Sequence, residues 1–169
     1  MMNSYDLTNI SVLVAERQTP MRTMLRQVLR EFGVATVHET SNPEDAFELF
    51  NQVVPDLVLS DWAPDFDGLD LLHKIRTDPN SAFTQAPVIM VTSYNESSHI
   101  FKALVAGMTE FLSKPLSAKL LYLRIVSVIE NKRGFVRAGE FIGPERRRRG
   151  DAFDGQNRRN ESDKANATG

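Results

Sequence analysis

Apolar runs and helical periodicity alternate five times along the chain, and that alternation predicts an architecture before any single residue does. Val12–Ala15, Val34–His38, Leu57–Ser60, Val88–Thr92 and Glu110–Leu112 are short, mostly unbroken apolar runs. Strands buried on both faces carry such runs. The stretch after the first run has helical spacing: Met21, Met24, Leu25, Val28, Leu29 and Phe32 share one face, while Arg22, Arg26 and Arg30 lie opposite. Thr19 is a candidate N-cap, Pro20 suits the first helical position and Gly33 can close the end. The second helix repeats this order, with Asn42 as cap, Pro43 as first residue, and Glu44 and Asp45 in a first turn whose dipole favours acids. Residues 68–76 and 96–106 supply a third and a fourth helix, the latter stopped by Gly107. A fifth starts near Ser117 and runs through "KLLYLRIVSVIENK".

Five strand–helix units in alternation predict an α/β fold. Its common form at this size is a flavodoxin-like, doubly wound, five-stranded parallel sheet in the order 2-1-3-4-5, with helices on both faces. In that order ligands bind at the carboxyl ends of strands 1 and 3, where the winding reverses. Those ends carry Glu16, Arg17 and Asp61, and the ends of strands 4 and 5 add Thr92 and Lys114. Four strand ends thus offer polar groups to one crevice.

Composition sets limits on this picture. The chain has 169 residues, 41% of them hydrophobic, which suits one domain plus a tail. The divisions expected are a lead over 1–10, a globular domain over 11–132 and a tail over 133–169. No stretch approaches the ~20 apolar residues of a membrane span, and "MMNSYDLTNI" lacks the basic start and apolar core of a signal peptide. A soluble cytoplasmic protein with no membrane partner is therefore expected. Without cysteine there is no disulfide framework, and His38, His73 and His99 show no ligand spacing. Charge divides the chain again: residues 1–130 hold 10 Lys/Arg and 16 Asp/Glu, residues 131–169 hold 10 and 6. An acidic body carries a basic tail.

A carboxylate such as Asp61 can attack a phosphoryl donor to give an aspartyl phosphate. The transfer needs cations and donors around the phosphoryl oxygens, commonly Mg²⁺ held by carboxylates together with a lysine and a hydroxyl. Glu16, Thr92 and Lys114 are groups of those kinds. In this setting "VLVAE", "PDLVLSDW" with Asp61, "DG" at Asp67-Gly68, "PVIMVTS" with Thr92 and "FLSKPL" with Lys114-Pro115 occur in order. From about Ser11 to Lys132 the sequence resembles the receiver domain of two-component response regulators, of the stand-alone, CheY-like kind. The resemblance implies that Asp61 is the phosphoacceptor, taking its group from a histidine kinase or a histidine phosphotransfer protein. It implies that Thr92 and Lys114 contact the phosphoryl oxygens and that Phe111 follows Thr92 as a switch. It implies a cis Lys114–Pro115 bond, and Mg²⁺ held by Glu16, Asp61 and the Ala63 carbonyl. It also implies an output through a downstream protein, and a homodimer through the fourth helix, fifth strand and fifth helix. No enzymatic activity follows beyond phosphoryl transfer to Asp61 itself. The plainer readings stay open residue by residue: Asp61 as a turn cap, Lys114 as a solvated loop lysine, Thr92 as a helix cap, Phe111 as core.

One position departs from the family. Two tandem acids normally end strand 1, the second binding Mg²⁺ directly, and here the pair is Glu16-Arg17. Two charges ~4 Å apart interact by about 4 kcal/mol at an effective dielectric of ~20, so a guanidinium there opposes the ion. Arg17 can stand in for Mg²⁺ at a phosphoryl group. It can bond Asp61 or Glu16 through its fork and lock a pseudo-receiver that needs no phosphorylation. Or it can lie at the surface and leave a weakened Mg²⁺ site.

After about residue 133 the periodicity ends, and "GEFIGPERRRRGDAFDGQNRRNESDKANATG" is expected to be disordered. The Arg146–Arg149 run is a solvated charge run in its plainest form. A nucleic-acid role stays open but has no recognition fold, and no stacking aromatics beyond Phe141 and Phe153, to support it.

Overall fold

A computed structural model describes residues 5–130, 135–138 and 141–144. Five strands, β1 (Ser11–Ala15), β2 (Thr36–Thr40), β3 (Leu57–Trp62), β4 (Val88–Thr92) and β5 (Glu110–Ser113), alternate with five helices. The helices are α1 (Thr19–Glu31), α2 (Pro43–Val53), α3 (Gly68–Thr77), α4 (Ser97–Val105) and α5 (Ala118–Glu130). The strands pair in parallel in the order β2-β1-β3-β4-β5, the topology expected.

Alternation along each buried strand sends side chains to two cores. Leu13, Val58, Trp62, Val88 and Met90 meet Ala46 and Phe50 of α2, Leu72 and Ile75 of α3 and Ala103 of α4. Val12, Val14, Leu59, Ile89, Val91 and Leu112 meet Leu25 and Leu29 of α1 and Leu121 and Ile125 of α5. This is why Val12–Ala15, Leu57–Leu59 and Val88–Val91 are apolar without interruption. The lead is part of the second core, since Leu7 is buried in it and the Tyr5 hydroxyl reaches Glu130.

Two local expectations are corrected. Thr19 is not the cap of α1; Gln18 occupies that place without a side-chain bond, and the Thr19 hydroxyl accepts from Arg22 Nη2 at 3.3 Å instead. The second strand runs over Thr36–Thr40 rather than from Val34. Val34 is buried, but its N–H donates to Leu29 O at 3.0 Å, so it closes α1. On the face of α1 opposite its apolar side, Arg26 Nη1 lies 2.8 Å from Glu39 Oε2 of β2. Asn42 caps α2 as expected, accepting from Glu44 N at 2.9 Å. Gly33 and Gly107, at φ +93° and +94°, end α1 and α4 in the left-handed region that favours glycine.

Beyond α5, Phe135–Ala138 (β6) and Phe141–Pro144 (β7) pair antiparallel, Ala138 opposite Phe141. This hairpin falls in the stretch where the sequence predicts no element. Its signal is weak, two apolar pairs flanking Gly139-Glu140. The Arg146–Arg149 run lies outside the described residues.

Candidate functional site

The carboxyl ends of β1, β3, β4 and β5 lie side by side, and registry places them: Ala15 opposite Ser60, Asp61 opposite Val91, and Thr92 opposite Trp62 and Ser113. Glu16 continues β1, its N–H donating to Thr40 O at 3.0 Å. The Lys114 N–H donates to Thr92 O at 2.9 Å and sets the lysine at the β5 exit. Its peptide to Pro115 is cis, as the resemblance implies.

Lys114 joins the two acids. Its Nζ donates to Asp61 Oδ1 and to Glu16 Oε2, each at 3.0 Å, and both carboxylates are buried. Burial, the largest influence, pushes the Asp61 carboxyl above its usual value; the hydrogen bond from Lys114 pulls it back, and the Glu16 charge adds to the rise. Desolvation acts to lower Lys114, but hydrogen bonds to Asp61 and Glu16 and their charges outweigh it, so its ammonium is held above the usual lysine value. The lysine is therefore charged, and with two carboxylates the cluster carries a surplus negative charge in a protected pocket.

Thr92 ends β4 fully buried, and its hydroxyl donates to the Trp62 carbonyl and accepts from Tyr94 N at 3.0 Å. It is thus one strand away from Asp61 and bonded to the residue that follows it. Phe111 sits in β5 opposite Met90 and packs, partly buried, against the α2–α4 core. Trp62 stands beside Asp61 under Tyr94 and His99, its ring 5.2 and 5.4 Å from theirs, and Tyr94 stacks on His99 at 4.5 Å.

Arg17 does not bond Asp61 or Glu16, as its fork could have done. It crosses to the β3–α3 loop, where its Nε lies 3.3 Å from Asp65 Oδ2 and its Nη1 donates to Asp65 O at 3.1 Å. Asp65 is presented by a tight turn in which Ala63 and Phe66 exchange two backbone bonds of 3.0 Å. No sequence pattern announces Asp65, because loop positions have no periodicity to read. Gly68 is a second residue whose role the sequence hides: a Cβ there would stand 1.8 Å from Asp61 O. Only glycine lets α3 begin this close to the end of β3.

Mg²⁺, the ion that receiver domains use, asks for near-octahedral oxygen ligands and a surplus of carboxylate. Among the expected donors, Glu16 Oε1 accepts from Gln18 N at 2.9 Å, Glu16 Oε2 and Asp61 Oδ1 hold Lys114, and Ala63 O accepts from Phe66 N. Glu16 is followed by the cation Arg17, and the described residues include no group of three or more acidic or histidine side chains fit for a metal. The residues present do not fit a Mg²⁺ site.

A buried carboxylate pair bridged by lysine thus lies at the switch point of a 2-1-3-4-5 sheet, where such folds bind their ligands. The chain belongs to the response regulator receiver domain family, whose model matches residues 12–126. Over 122 residues it is 30% identical to chemotaxis protein CheY1 of Helicobacter pylori, covering 71% of this chain and 97% of that protein. It is equally 30% identical over 124 residues to histidine kinase P4 of Formosa agariphila, covering 72% of this chain but only 9% of that much longer protein. A response-regulator structure from Chloroflexus aurantiacus superposes with a TM-score of 0.65 at 24% identity, over 72% of this chain and 98% of that one, a likeness of fold. The family works in two-component signalling with histidine kinases or phosphotransfer proteins, as signalling modules rather than enzymes. No described helix is long and apolar enough to cross a membrane.

Proposed function

We propose that this protein is a cytoplasmic response regulator that accepts a phosphoryl group on Asp61 from a histidine kinase or histidine phosphotransfer protein and signals through protein contacts. The observation that carries this reading is the Lys114 ammonium held 3.0 Å from the buried carboxylate of Asp61. A carboxylate oxygen of Asp61 bonds to phosphorus as the donor's imidazole nitrogen leaves with the bonding electron pair. Lys114 then meets the oxygens of the phosphoryl group, where charge is greatest. Thr92, to reach them, must leave the Trp62 carbonyl; Phe111, on the neighbouring strand, is the residue placed to respond. Phe101 and Val105 on α4 and Leu120 and Leu123 on α5 are exposed apolar residues suited to a partner or a second copy.

Intact mass after incubation with acetyl phosphate tests the reading. One phosphoryl adduct on the wild type and none on Asp61→Asn is the expected result. The alternative, a pseudo-receiver that partners read without phosphorylation, draws support from Arg17 in place of an acid. It predicts no adduct on the wild type and one on Arg17→Asp in the presence of Mg²⁺.

A further inference from the structure

We infer that Arg17 supplies the positive charge that a metal ion gives other receivers, and that Asp65 holds it beside the site until a phosphoryl group arrives. This rests on Asp61 as acceptor and goes beyond it, because it makes the transfer independent of metal.

Three observations combine. The acid cluster of Glu16 and Asp61 has one cation, Lys114, for two carboxylates, and a phosphoryl group adds further negative charge. Glu16 Oε1, Glu16 Oε2, Asp61 Oδ1 and Ala63 O each accept from protein N–H groups or Lys114, and the described residues hold no cluster of three acids for a metal, so Arg17 is the nearby cation that the chain itself supplies. Arg17 directly follows Glu16 and leans towards the loop that leaves Asp61, not back over α1; its partner Asp65 is four residues past the acceptor.

The Arg17–Asp65 pair is also loose. Its side chains keep 56% and 53% of their exposure, so water screens it and little is lost when it opens. An arginine fork, by contrast, fits two oxygens of a phosphoryl group and bonds them strongly as a charge-assisted pair. At rest the carboxylate of Asp65 holds the guanidinium away from Lys114, whose charge it would otherwise oppose. When a donor enters, the phosphoryl oxygens outcompete Asp65. In the reaction with acetyl phosphate, an Asp61 oxygen bonds to phosphorus, the phosphorus–oxygen bond to the acetyl group breaks, and acetate leaves with the electron pair. The guanidinium keeps its proton throughout and acts only by charge and hydrogen bonding.

The test measures the rate of adduct formation with acetyl phosphate on the full chain, in excess EDTA and in excess Mg²⁺, for wild type, Arg17→Gln, Arg17→Lys, Asp65→Asn and Asp61→Asn. Arg17 and Asp65 are half exposed, so these variants keep the fold, and the Trp62 emission spectrum checks this for each. Wild type should react in EDTA within about twofold of its rate in Mg²⁺. Arg17→Gln should lower the EDTA rate by roughly tenfold or more, the scale of removing one transition-state donor. Arg17→Lys should restore part of it, and Asp65→Asn, by freeing the guanidinium, should raise it severalfold. A wild-type rate that collapses in EDTA, or an Arg17→Gln rate equal to wild type, overturns the inference while Asp61 remains the acceptor. An Asp65→Asn rate equal to wild type removes Asp65 from it. No wild-type adduct under either condition overturns the acceptor reading and this inference together.

Discussion

Asp61 and Asp65 are four residues apart and meet opposite environments. Asp65 shares the water of a loop tip with Arg17, whereas Asp61 is buried with a second carboxylate beside it. The carboxyl of Asp61 is raised by that burial, and the sign of the consequence follows from linkage. A group raised in the folded state contributes stability that is fully present below its unfolded value of 3.8 and is lost as pH rises through the folded value. At neutral pH the ionised side chain therefore costs stability. Asp61→Asn, which leaves Glu16 to hold Lys114, should be more stable than wild type at pH 7 by about 1 kcal/mol, the size typical of relieving a functional site. Urea denaturation in EDTA at a series of pH values should show that advantage shrinking as pH falls towards 3.8. An advantage that grows towards acid would mean that Asp61 is instead stabilised as a carboxylate. Glu16, Asp61, Thr92 and Lys114 were legible in the sequence because each ends a buried apolar run, and the order of strands brings run ends together. The Arg17–Asp65 contact was not, because both partners lie in loops where neither spacing nor hydropathy records which side chains face each other.

Elements show the same division. Helices and central strands follow from apolar spacing, and their faces agree with the two cores. Edges and junctions do not, because apolar residues there serve the neighbouring element: Val34 is apolar for the sake of the α1 end, and β2 at the sheet edge is only partly buried. The junction between β3 and α3 depends on a residue with no side chain. Asp67 caps α3 by accepting from Asp70 N at 3.0 Å, and Gly68 then passes so near the strand that a Cβ would overlap Asp61 O. The obstacle is backbone, which cannot rotate away as a side chain would. Gly68→Ala should accordingly cost at least ~2 kcal/mol, within the range for forcing volume into a packed site. It should also slow phosphorylation, since the peptide of the acceptor must shift. An alanine variant with wild-type urea midpoint and wild-type adduct rate would mean that α3 can start further from β3 than it does here.

Over the whole molecule the sheet has two working edges. The carboxyl ends of the strands carry the acid cluster; at the other end, β7 of the hairpin approaches α3 and the loop before β5. There β7 lies against α3, and Gly143 packs so closely on Gly107 that a Cβ would come within 2.9 Å of its Cα. Gly107 also receives Arg76, a fully buried arginine of α3 whose Nε donates to Gly107 O at 3.0 Å and whose Nη1 donates to Thr84 O at 2.7 Å. Arg76 thus ties α3 to the segments entering β4 and β5, and β7 packs beside Gly107 there. A chain ending at Lys132 removes the cover but leaves the family-matched residues 12–126 intact. It should fold, with a lower melting temperature, because the packing of β7 on α3 and Gly107 is lost. Gly143→Val in the full chain should cost ~1–3 kcal/mol through overpacking against Gly107. At about 2–4 °C per kcal/mol for a chain of this size, calorimetry can read both losses. Adduct formation on Asp61 should keep its wild-type rate in both, because Gly107 and Thr84 precede β5 and β4 at the edge of the sheet away from the acceptor. A truncated chain that melts with the full one would make the hairpin an appendage, and a rate that falls with it would mean that the two edges of the sheet are coupled through α3.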